Sequence, residues 1–485
     1  MTGIKGRRLL VLVVLCCAFL IDVMGATSVM VAAPSIGRAF RLDSAGLQWS
    51  LVAATLPAAA LLIVGARLAD LIGRRPVILA GLAGTLLSLV ACGAAVDSAM
   101  FIAARVGLGA SAALLIPAAL ALLTDIFSEE RDRRTAIATW SAIGGIGSTG
   151  GLLLGGLVTA GLGWRWIYLS SAIACLVVLP VAISILPGDR ADRAPGRLDL
   201  PGLALFSAGA ALLLFVISEL PSAPSTGWLE PSTAIAAAAL LSAFAMRQRR
   251  ATDPLLPPRL FHSPTVSAGN VTLLVAGMLV DGLLVALSLV LQEVRGYSPM
   301  QFGGVAAVMT VTSIGAAALA QRLIARLGGL WVAVSGLGGL ALTAVALTRS
   351  AAPHGSLVGL VFSMIGFGVA MGAAFTAGSL LSLDVKDERD NAAAAAAQNI
   401  SFTLGTALGV AIVSAVAAST GDFGGHPLSE ANPASLLAGI NAGMWVTAGF
   451  AAAGAIGLIL IGAQRSGVAS RRGPCHSGSS APRAR

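Results

Sequence analysis

Long runs of apolar residues constrain this chain more than any other feature of its sequence. Fourteen such runs, each of roughly twenty residues, are separated by short polar breaks and are long enough to cross the hydrocarbon core of a bilayer as helices. Hydrophobic residues make up 56% of the chain and charged residues only 11%, which excludes an ordinary soluble domain. We therefore predict an all-α polytopic membrane protein with fourteen transmembrane helices.

The runs fall into two blocks of six with a central pair between them. This grouping predicts four regions: a six-helix bundle over 1–187, links with two inserted helices over 188–262, a second six-helix bundle over 263–463, and a disordered cytoplasmic tail over 464–485. Length and apolarity favour fourteen spans, although twelve spans would leave every other loop on the same side of the membrane.

The basic residues are distributed unequally between the two sides of the predicted membrane. If the N-terminus is cytoplasmic, 25 of the 31 Lys and Arg residues lie in cytoplasmic segments, five lie outside, and Arg105 lies within a span. This bias predicts that both termini lie in the cytoplasm, and we expect the membrane to be the bacterial inner membrane. The net charge of +9 is thereby explained without nucleic acid as a partner. Tyr168, Tyr297, Trp164 and Trp166 are expected in an aromatic belt at the outer boundary.

The two blocks of six resemble each other, which indicates an internal repeat. Asp22 follows Leu-Ile in the first span, and Asp281 follows Leu-Val in the ninth. Residues 67–73 are echoed by 322–328, and Glu-Arg-Asp at 130–132 recurs at 388–390. The offsets are 259, 255 and 258 residues, as expected for a duplicated unit. Related halves around a central site are typical of secondary transporters.

Three charged residues lie deep in the predicted membrane: Asp22, Arg105 and Asp281. A charge near the bilayer centre costs about 2.5–3.5 kcal/mol or more, so each is expected to face protein or a wet cavity. Asp22 is the expected partner of Arg105. The pair then either holds two helices together or allows Arg105 to change the proton affinity of Asp22 as the cavity opens and closes.

Several of these motifs resemble the major facilitator superfamily, specifically its fourteen-helix drug:proton antiporter branch. Residues 68–75, including Asp70, Gly73, Arg74 and Arg75, resemble the loop after the second helix, and the resemblance implies a cytoplasmic gate. The alternative is that these arginines only enforce topology. Arg105 occupies the position of the family's intramembrane arginine.

The fifth span resembles the family's antiporter motif through Gly147, Gly151, Gly155 and Gly156, although Leu152 replaces the usual proline. Glycines at these spacings also permit ordinary close packing of helices. The first span lacks the family's usual acid, since Gly25 stands there, and Asp22 lies one helical turn away as its substitute.

The resemblance implies a proton-coupled antiporter of the major facilitator fold that exports a small apolar or amphipathic molecule by alternating access. Asp22 and Asp281 are the predicted proton carriers. Gln398, Asn399, Asn441 and Trp445 are candidate cavity residues, though single polar residues on helices more often serve packing.

The expected partners are a small-molecule substrate, protons and the lipid bilayer, with no cofactor, no metal and a monomeric state. The chain carries no Walker loop, so direct ATP drive is not expected. It has no His or Cys cluster, so enzymatic activity is not expected. Uptake or facilitated transport by the same fold, and a non-transporting membrane sensor or scaffold, remain alternatives.

Overall fold

The computed structural model describes residues 2–188, 199–219, 229–251, 257–385, 391–420 and 432–471. Its described residues are almost entirely helical, which confirms the all-α prediction. Fourteen long helices and one short helix, α9, follow one another along the chain. They are α1 (Thr2–Phe40), α2 (Ser44–Ile72), α3 (Arg74–Ala94), α4 (Ser98–Ile126), α5 (Glu130–Gly161), α6 (Arg165–Ile185), α7 (Leu200–Glu219), α8 (Leu229–Arg250), α9 (Pro258–Phe261), α10 (Pro264–Leu289), α11 (Pro299–Leu327), α12 (Gly329–Ser350), α13 (Leu357–Ser382), α14 (Asn391–Thr420) and α15 (Pro433–Arg471).

Twelve of the long helices are individually long and apolar enough, within the described residues, to cross a membrane. They are α1–α6 and α10–α15, the two predicted blocks of six. The central pair is also helical, but α7 contributes only a shorter apolar segment, Pro201–Leu213, and α8 does not qualify because Ser, Thr and Arg residues dilute it. The α7–α8 pair packs together, and α7 also contacts α2 and α14.

Two ends of the helical assembly are defined by the chain direction. We call the end at which α1 begins and α15 finishes the terminal end, and the opposite end the far end. Because successive long helices are antiparallel, the α1–α2, α3–α4, α5–α6 and α10–α11 connections lie at the far end. A π-helical turn, Val290–Val294, carries α10 into its far-end connection.

The internal repeat is visible in the closest helix contacts. The α4–α2 contact brings Gly109 against the carbonyl of Ala54, and the α13–α11 contact brings Gly368 against the carbonyl of Met309. A Cβ on either glycine would lie within 2.3 Å of that oxygen, so only glycine fits. Gly109 and Gly368 are 259 residues apart, and Ala54 and Met309 are 255 apart. The two offsets match those of the repeat predicted from the sequence.

A second pair of interfaces follows the same rule. Gly81 of α3 packs on Leu115 of α4, and Gly336 of α12 packs on Ala374 of α13. Gly81 and its equivalent Gly336 are 255 residues apart, and Leu115 and its equivalent Ala374 are 259 residues apart. The two bundles therefore reuse one set of helix contacts. Residues 388–390, which supplied part of the sequence evidence, lie outside the described residues.

Two of the predicted belt aromatics lie inside the N-terminal bundle instead. Tyr168 and Trp164 are buried and pack edge-on against Phe101 with ring centroids 5.6 and 5.5 Å away. Phe40 packs on the same cluster. The belt prediction was wrong for these two because bundle packing buries both rings, whereas Trp166 is 42% exposed.

At the C-terminal end, α15 continues to Arg471, beyond residue 464 where the tail was predicted to become disordered. Residues 472–485 lie outside the described residues.

A polar contact at the terminal end holds α7 and α8 together. Arg247 donates a hydrogen bond of 2.6 Å to Asp199, which also caps α7 by accepting from the backbone N–H of Gly202 at 2.9 Å. Burial acts to raise the pKa of Asp199, but these bonds, with the charge of Arg247 and a bond from Gln248, hold the pKa below its usual value.

We expect Gly109→Ala to destabilise the protein by about 1–3 kcal/mol, because the added methyl group would overlap the Ala54 carbonyl. Gly368→Ala should have a similar effect at the repeated contact. Gly150→Ala is the matched control, since no neighbouring atom lies within 4 Å of the point where its added methyl group would sit. Thermal unfolding in detergent would contradict the packing account if Gly109→Ala and Gly150→Ala unfolded at the same temperature.

Candidate functional site

A small cavity lies between the two bundles near the middle of the helices. Its volume is about 100 Å³, and α1, α2, α4 and α10 contribute to its wall. Most of the wall is apolar or small, including Ala26, Met30, Leu108 and Ala112. The charged residues of the wall are the three singled out from the sequence: Asp22, Arg105 and Asp281.

The two aspartates enter the cavity from different bundles. Asp22 is on α1 of the N-terminal bundle, and Asp281 is on α10 of the C-terminal bundle. Both side chains are half-buried, because they border the cavity while packed helices surround them. The repeat thus places equivalent carboxylates on opposite sides of one internal space.

Arg105 is held by backbone carbonyls of a neighbouring helix. It is 2% exposed, and its Nε and Nη2 atoms donate hydrogen bonds to the carbonyls of Ser50 and Leu51 on α2, at 3.1 and 3.0 Å. The predicted ion pair with Asp22 is not formed within the described residues, although Arg105 lies close enough for its charge to act on that carboxylate. The prediction failed because unpaired helix carbonyl lone pairs compete for the guanidinium.

One guanidinium atom of Arg105 lies close to a buried tyrosine hydroxyl. The Nη1 atom and the hydroxyl of Tyr168 are both buried, and neither makes a hydrogen bond of standard geometry to a described residue. Unsatisfied buried polar atoms are uncommon in folded proteins. Arg105 can therefore gain a bond when its surroundings change, without giving up those that tie α4 to α2.

The glycine-rich helix α5 packs on both bundles. Gly147, Gly151 and Gly155 contact α1, where the Ser28 hydroxyl donates a hydrogen bond of 2.9 Å to the Gly151 carbonyl. Gly156 faces the first turn of α11, close to the Pro299 carbonyl. The motif therefore forms an interface between α1 of its own bundle and α11 of the other.

The bundles are joined at the far end. Gln292 in the π-helical turn donates a hydrogen bond of 2.9 Å to the carbonyl of Val31 on α1. Arg38 of α1 lies 3.7 Å, Nε to Oε1, from Glu293. Nearer the centre, the hydroxyl of Thr149 on α5 donates to that of Thr310 on α11 at 2.9 Å. These contacts hold the two bundles together between the cavity and the far end.

At the terminal end, the predicted gate residues make contacts within the N-terminal bundle. Gly73 has a φ of 112°, which favours glycine in the tight α2–α3 reversal. Arg74 pairs with Asp125 of α4, and Arg75 donates a hydrogen bond of 2.7 Å to the Ile183 carbonyl of α6. Asp70 is exposed and has no hydrogen bond or ion pair within the described part of the chain.

None of the four candidate cavity residues lines the cavity. Gln398 bonds to Ser379 and Ser382 of α13, and the Asn399 side chain donates to the Ala395 carbonyl of its own helix. The Oδ1 atom of Asn441 is buried without a described partner, and Trp445 is 52% exposed. Thr55 of α2, which sequence reasoning did not single out, does line the cavity. Nothing in the pattern around Thr55 marks it, since Ser and Thr occur throughout the spans.

Two related six-helix bundles around a central cavity with buried charges define a membrane transport protein. The Major Facilitator Superfamily profile matches residues 15–410, and the chain belongs to this family. The expectation drawn from the sequence motifs is confirmed.

Relatives with assigned functions share most or part of the chain. The puromycin resistance protein pur8 of Streptomyces alboniger is 33% identical over 95% of this chain and 90% of its own length. The cephamycin export protein CmcT of Amycolatopsis lactamdurans is 39% identical over 60% of each chain.

The crystal structure of a bacterial homologue of the human lysosomal transporter Spinster, in an inward-facing and occupied conformation, has the same fold. Its TM-score is 0.66 at 18% identity, covering 96% of this chain and 98% of that one.

We expect Gln292→Leu to open the far end, because it removes the hydrogen bond to Val31 while keeping a similar side-chain volume. The readout is maleimide labelling of a cysteine placed at Ala26, with an impermeant reagent added to each side of the membrane in turn. If the free energy that favours the closed far end falls by about 1 kcal/mol, labelling from the far-end side should become roughly fivefold faster.

The control is Gln301→Leu at the same end, since Gln301 only completes the capping box of α11 with Ser298. Equal labelling rates in the two variants would show that the Gln292 bond does not hold the bundles closed.

Proposed function

We propose that this protein is a proton-coupled antiporter that exports a small organic molecule by alternating access. One observation carries the proposal: Asp22 and Asp281, one from each bundle, face the same central cavity. A carboxylate in a membrane protein is costly when ionised and far less so when protonated. Two such groups at the boundary between moving bodies are suited to bind protons on one side of the membrane and release them on the other.

The two carboxylates have different electrostatic surroundings. Arg105 lies near Asp22, whereas the residue at the repeat-equivalent position, 259 residues later, is Met364. Met364 is fully buried and carries no charge. No basic residue other than Arg105 lines the cavity among the described residues. The two carboxylates therefore differ in their electrostatic surroundings, and in the proposed cycle both bind and release protons.

In this conformation the bundles contact each other at the far end, and the central cavity has to become larger before it can hold a cargo molecule. Drug-sized ligands occupy pockets of about 300–1,000 Å³. At about 100 Å³ the cavity is too small for such a ligand. Rocking of the bundles about the α1–α10 and α5–α11 contacts would enlarge it, as alternating access requires.

Asp70 is the candidate latch for the opposite state. It is exposed here, while Arg74 and Arg75 are engaged within the N-terminal bundle. Its helix α2 packs beside α14, which begins at the same end. When the terminal end closes, the Asp70 carboxylate can meet the positive end of the α14 dipole.

The relatives support export of an antibiotic-like molecule. One is a puromycin resistance protein and another a cephamycin export protein. The largely apolar cavity wall suits an apolar or amphipathic cargo. An entering proton supplies roughly 2.3 kcal/mol per ~100 mV of membrane potential, which is sufficient to drive accumulation outside the cell.

We place the protein in a bacterial inner membrane as a monomer, with the terminal end in the cytoplasm. A reporter domain that is active only in the cytoplasm should be active when it is fused to the N-terminus and also when it is fused to the C-terminus. Activity of a reporter that works only in the periplasm, fused to either terminus, would contradict this orientation.

The export mechanism predicts that Asp22→Asn and Asp281→Asn each abolish proton-driven efflux, since neither amide can carry the proton. In a pump-deficient bacterial host, cells with the wild-type protein should accumulate less puromycin or cephamycin than control cells. Both variants should accumulate as much as cells that lack the protein.

Asp97→Asn is the matched control, because Asp97 is an exposed N-cap at the far end of α4. A proton uncoupler should remove the wild-type advantage. Higher accumulation in wild-type cells would indicate uptake instead, and unchanged efflux in both Asn variants would refute the proton-carrier roles.

A further inference from the structure

A second and larger cavity lies at the terminal end, away from the central site. Its volume is about 430 Å³, and it is formed by the last two turns of α8 and the short helix α9. Four of the lining residues present apolar surface: Phe244, Ala245, Pro258 and Phe261. The size is that of a typical small-molecule site, and the lining is suited to an acyl chain.

The inner wall of the cavity is firmly packed. Phe244 is buried and lies 5.2 Å, between ring centroids, from Phe206 of α7. By contrast Phe261, which lines the cavity, is 45% exposed, and Met246, which follows the lining residue Ala245, is 57% exposed. Apolar side chains are therefore exposed at and beside the cavity, where a lipid tail can contact them.

The polar part of the cavity is cationic. Its polar lining residues are Gln248, Arg249 and His262, and no acidic residue lines it among the described residues. Gln248 bonds to Asp199, which also neutralises Arg247. Arg249 has no such partner within the described residues. A guanidinium that has no acidic partner among the described residues and lies beside an apolar wall favours an anion with an apolar body.

His262 adds a second donor. Its Nδ1 lies 3.0 Å from the Pro258 carbonyl of α9 and can donate to it. In the imidazolium form Nδ1 donates to this carbonyl and Nε2–H donates to an anionic ligand. Arg249 of α8 and His262, the residue that follows α9, both line the cavity, and a phosphate bound by both would link α8 to α9.

We propose that this cavity binds one anionic phospholipid of the surrounding membrane, with its phosphate on Arg249 and His262 and an acyl chain along Phe244 and Phe261. Basic pockets at the cytoplasmic boundary of helices are suited to anionic headgroups. A free phosphate ion would contact only the cationic part of the cavity and would leave the four apolar lining residues without a ligand. The bound lipid would hold the α7–α8 pair and α9 against the C-terminal bundle, which α9 precedes.

The test compares lipid binding to the purified full-length protein. Nanodiscs of phosphatidylcholine with increasing phosphatidylglycerol are loaded with wild type, Arg249→Gln or the double variant Arg249→Gln with His262→Gln, and bound lipid is counted by native mass spectrometry. We expect roughly tenfold weaker phosphatidylglycerol binding in the double variant, as the loss of a charge-assisted hydrogen bond predicts. Phosphatidylcholine binding should not change.

Two controls make the result specific. Arg326→Gln removes an exposed arginine from the last turn of α11 at the same end and should bind like wild type. Arg249→Lys keeps the charge and should retain most of the binding, even if the double variant folds poorly.

Equal phosphatidylglycerol binding by wild type and Arg249→Gln would overturn the proposal. Displacement of the lipid by millimolar inorganic phosphate would also overturn it, because the site would then be an ion site. Both outcomes are independent of efflux and leave the proposed transport function untouched.

Discussion

Lipid cannot solvate a charge, and this constraint organises the centre of the protein. Arg105 is tolerated there because two carbonyls of α2 accept its hydrogen bonds and packed helices exclude lipid from it. Asp22 and Asp281 are tolerated because they border an internal cavity. In each case several helices together surround the charged group. The bundles therefore have to stay assembled around these groups in every state of the transport cycle.

The duplicated architecture explains how two bundles can share one site. Glycine contacts are repeated between α2–α4 and α11–α13, and again between α3–α4 and α12–α13. Such interfaces have little room to deform, because a carbonyl lies where a Cβ would be. In the proposed cycle each bundle would move as a body, with the changes concentrated at α1–α10 and α5–α11. The repeat is broken at Arg105, whose counterpart is Met364. This difference makes the two carboxylates inequivalent although their helices are related.

The sequence predicts the features that depend on composition and order. Apolar runs located all fourteen long helices, and the charges that lipid disfavours identified Asp22, Arg105 and Asp281 as members of one site. Contacts to backbone atoms could not be predicted, since any residue supplies a carbonyl. The bonds of Arg105 to Ser50 and Leu51, and of Gln292 to Val31, are of this kind. In helices that are apolar on every side, periodicity does not reveal the inward face. Gln398 and Trp445, which the sequence offered as cavity residues, do not line the central cavity in this conformation. Tyr168 was assigned to a belt rather than to a buried cluster.

The central claim is that the two cavity aspartates couple proton movement to cargo movement. Proteoliposomes that hold the purified protein and an internal pH-sensitive dye test it directly, once a cargo has been identified. A cargo gradient imposed without a pH gradient should drive protons in the opposite direction through the wild-type protein, and no proton flux should accompany cargo in Asp22→Asn or Asp281→Asn. Cargo flux through the wild-type protein with no movement of protons would contradict the account.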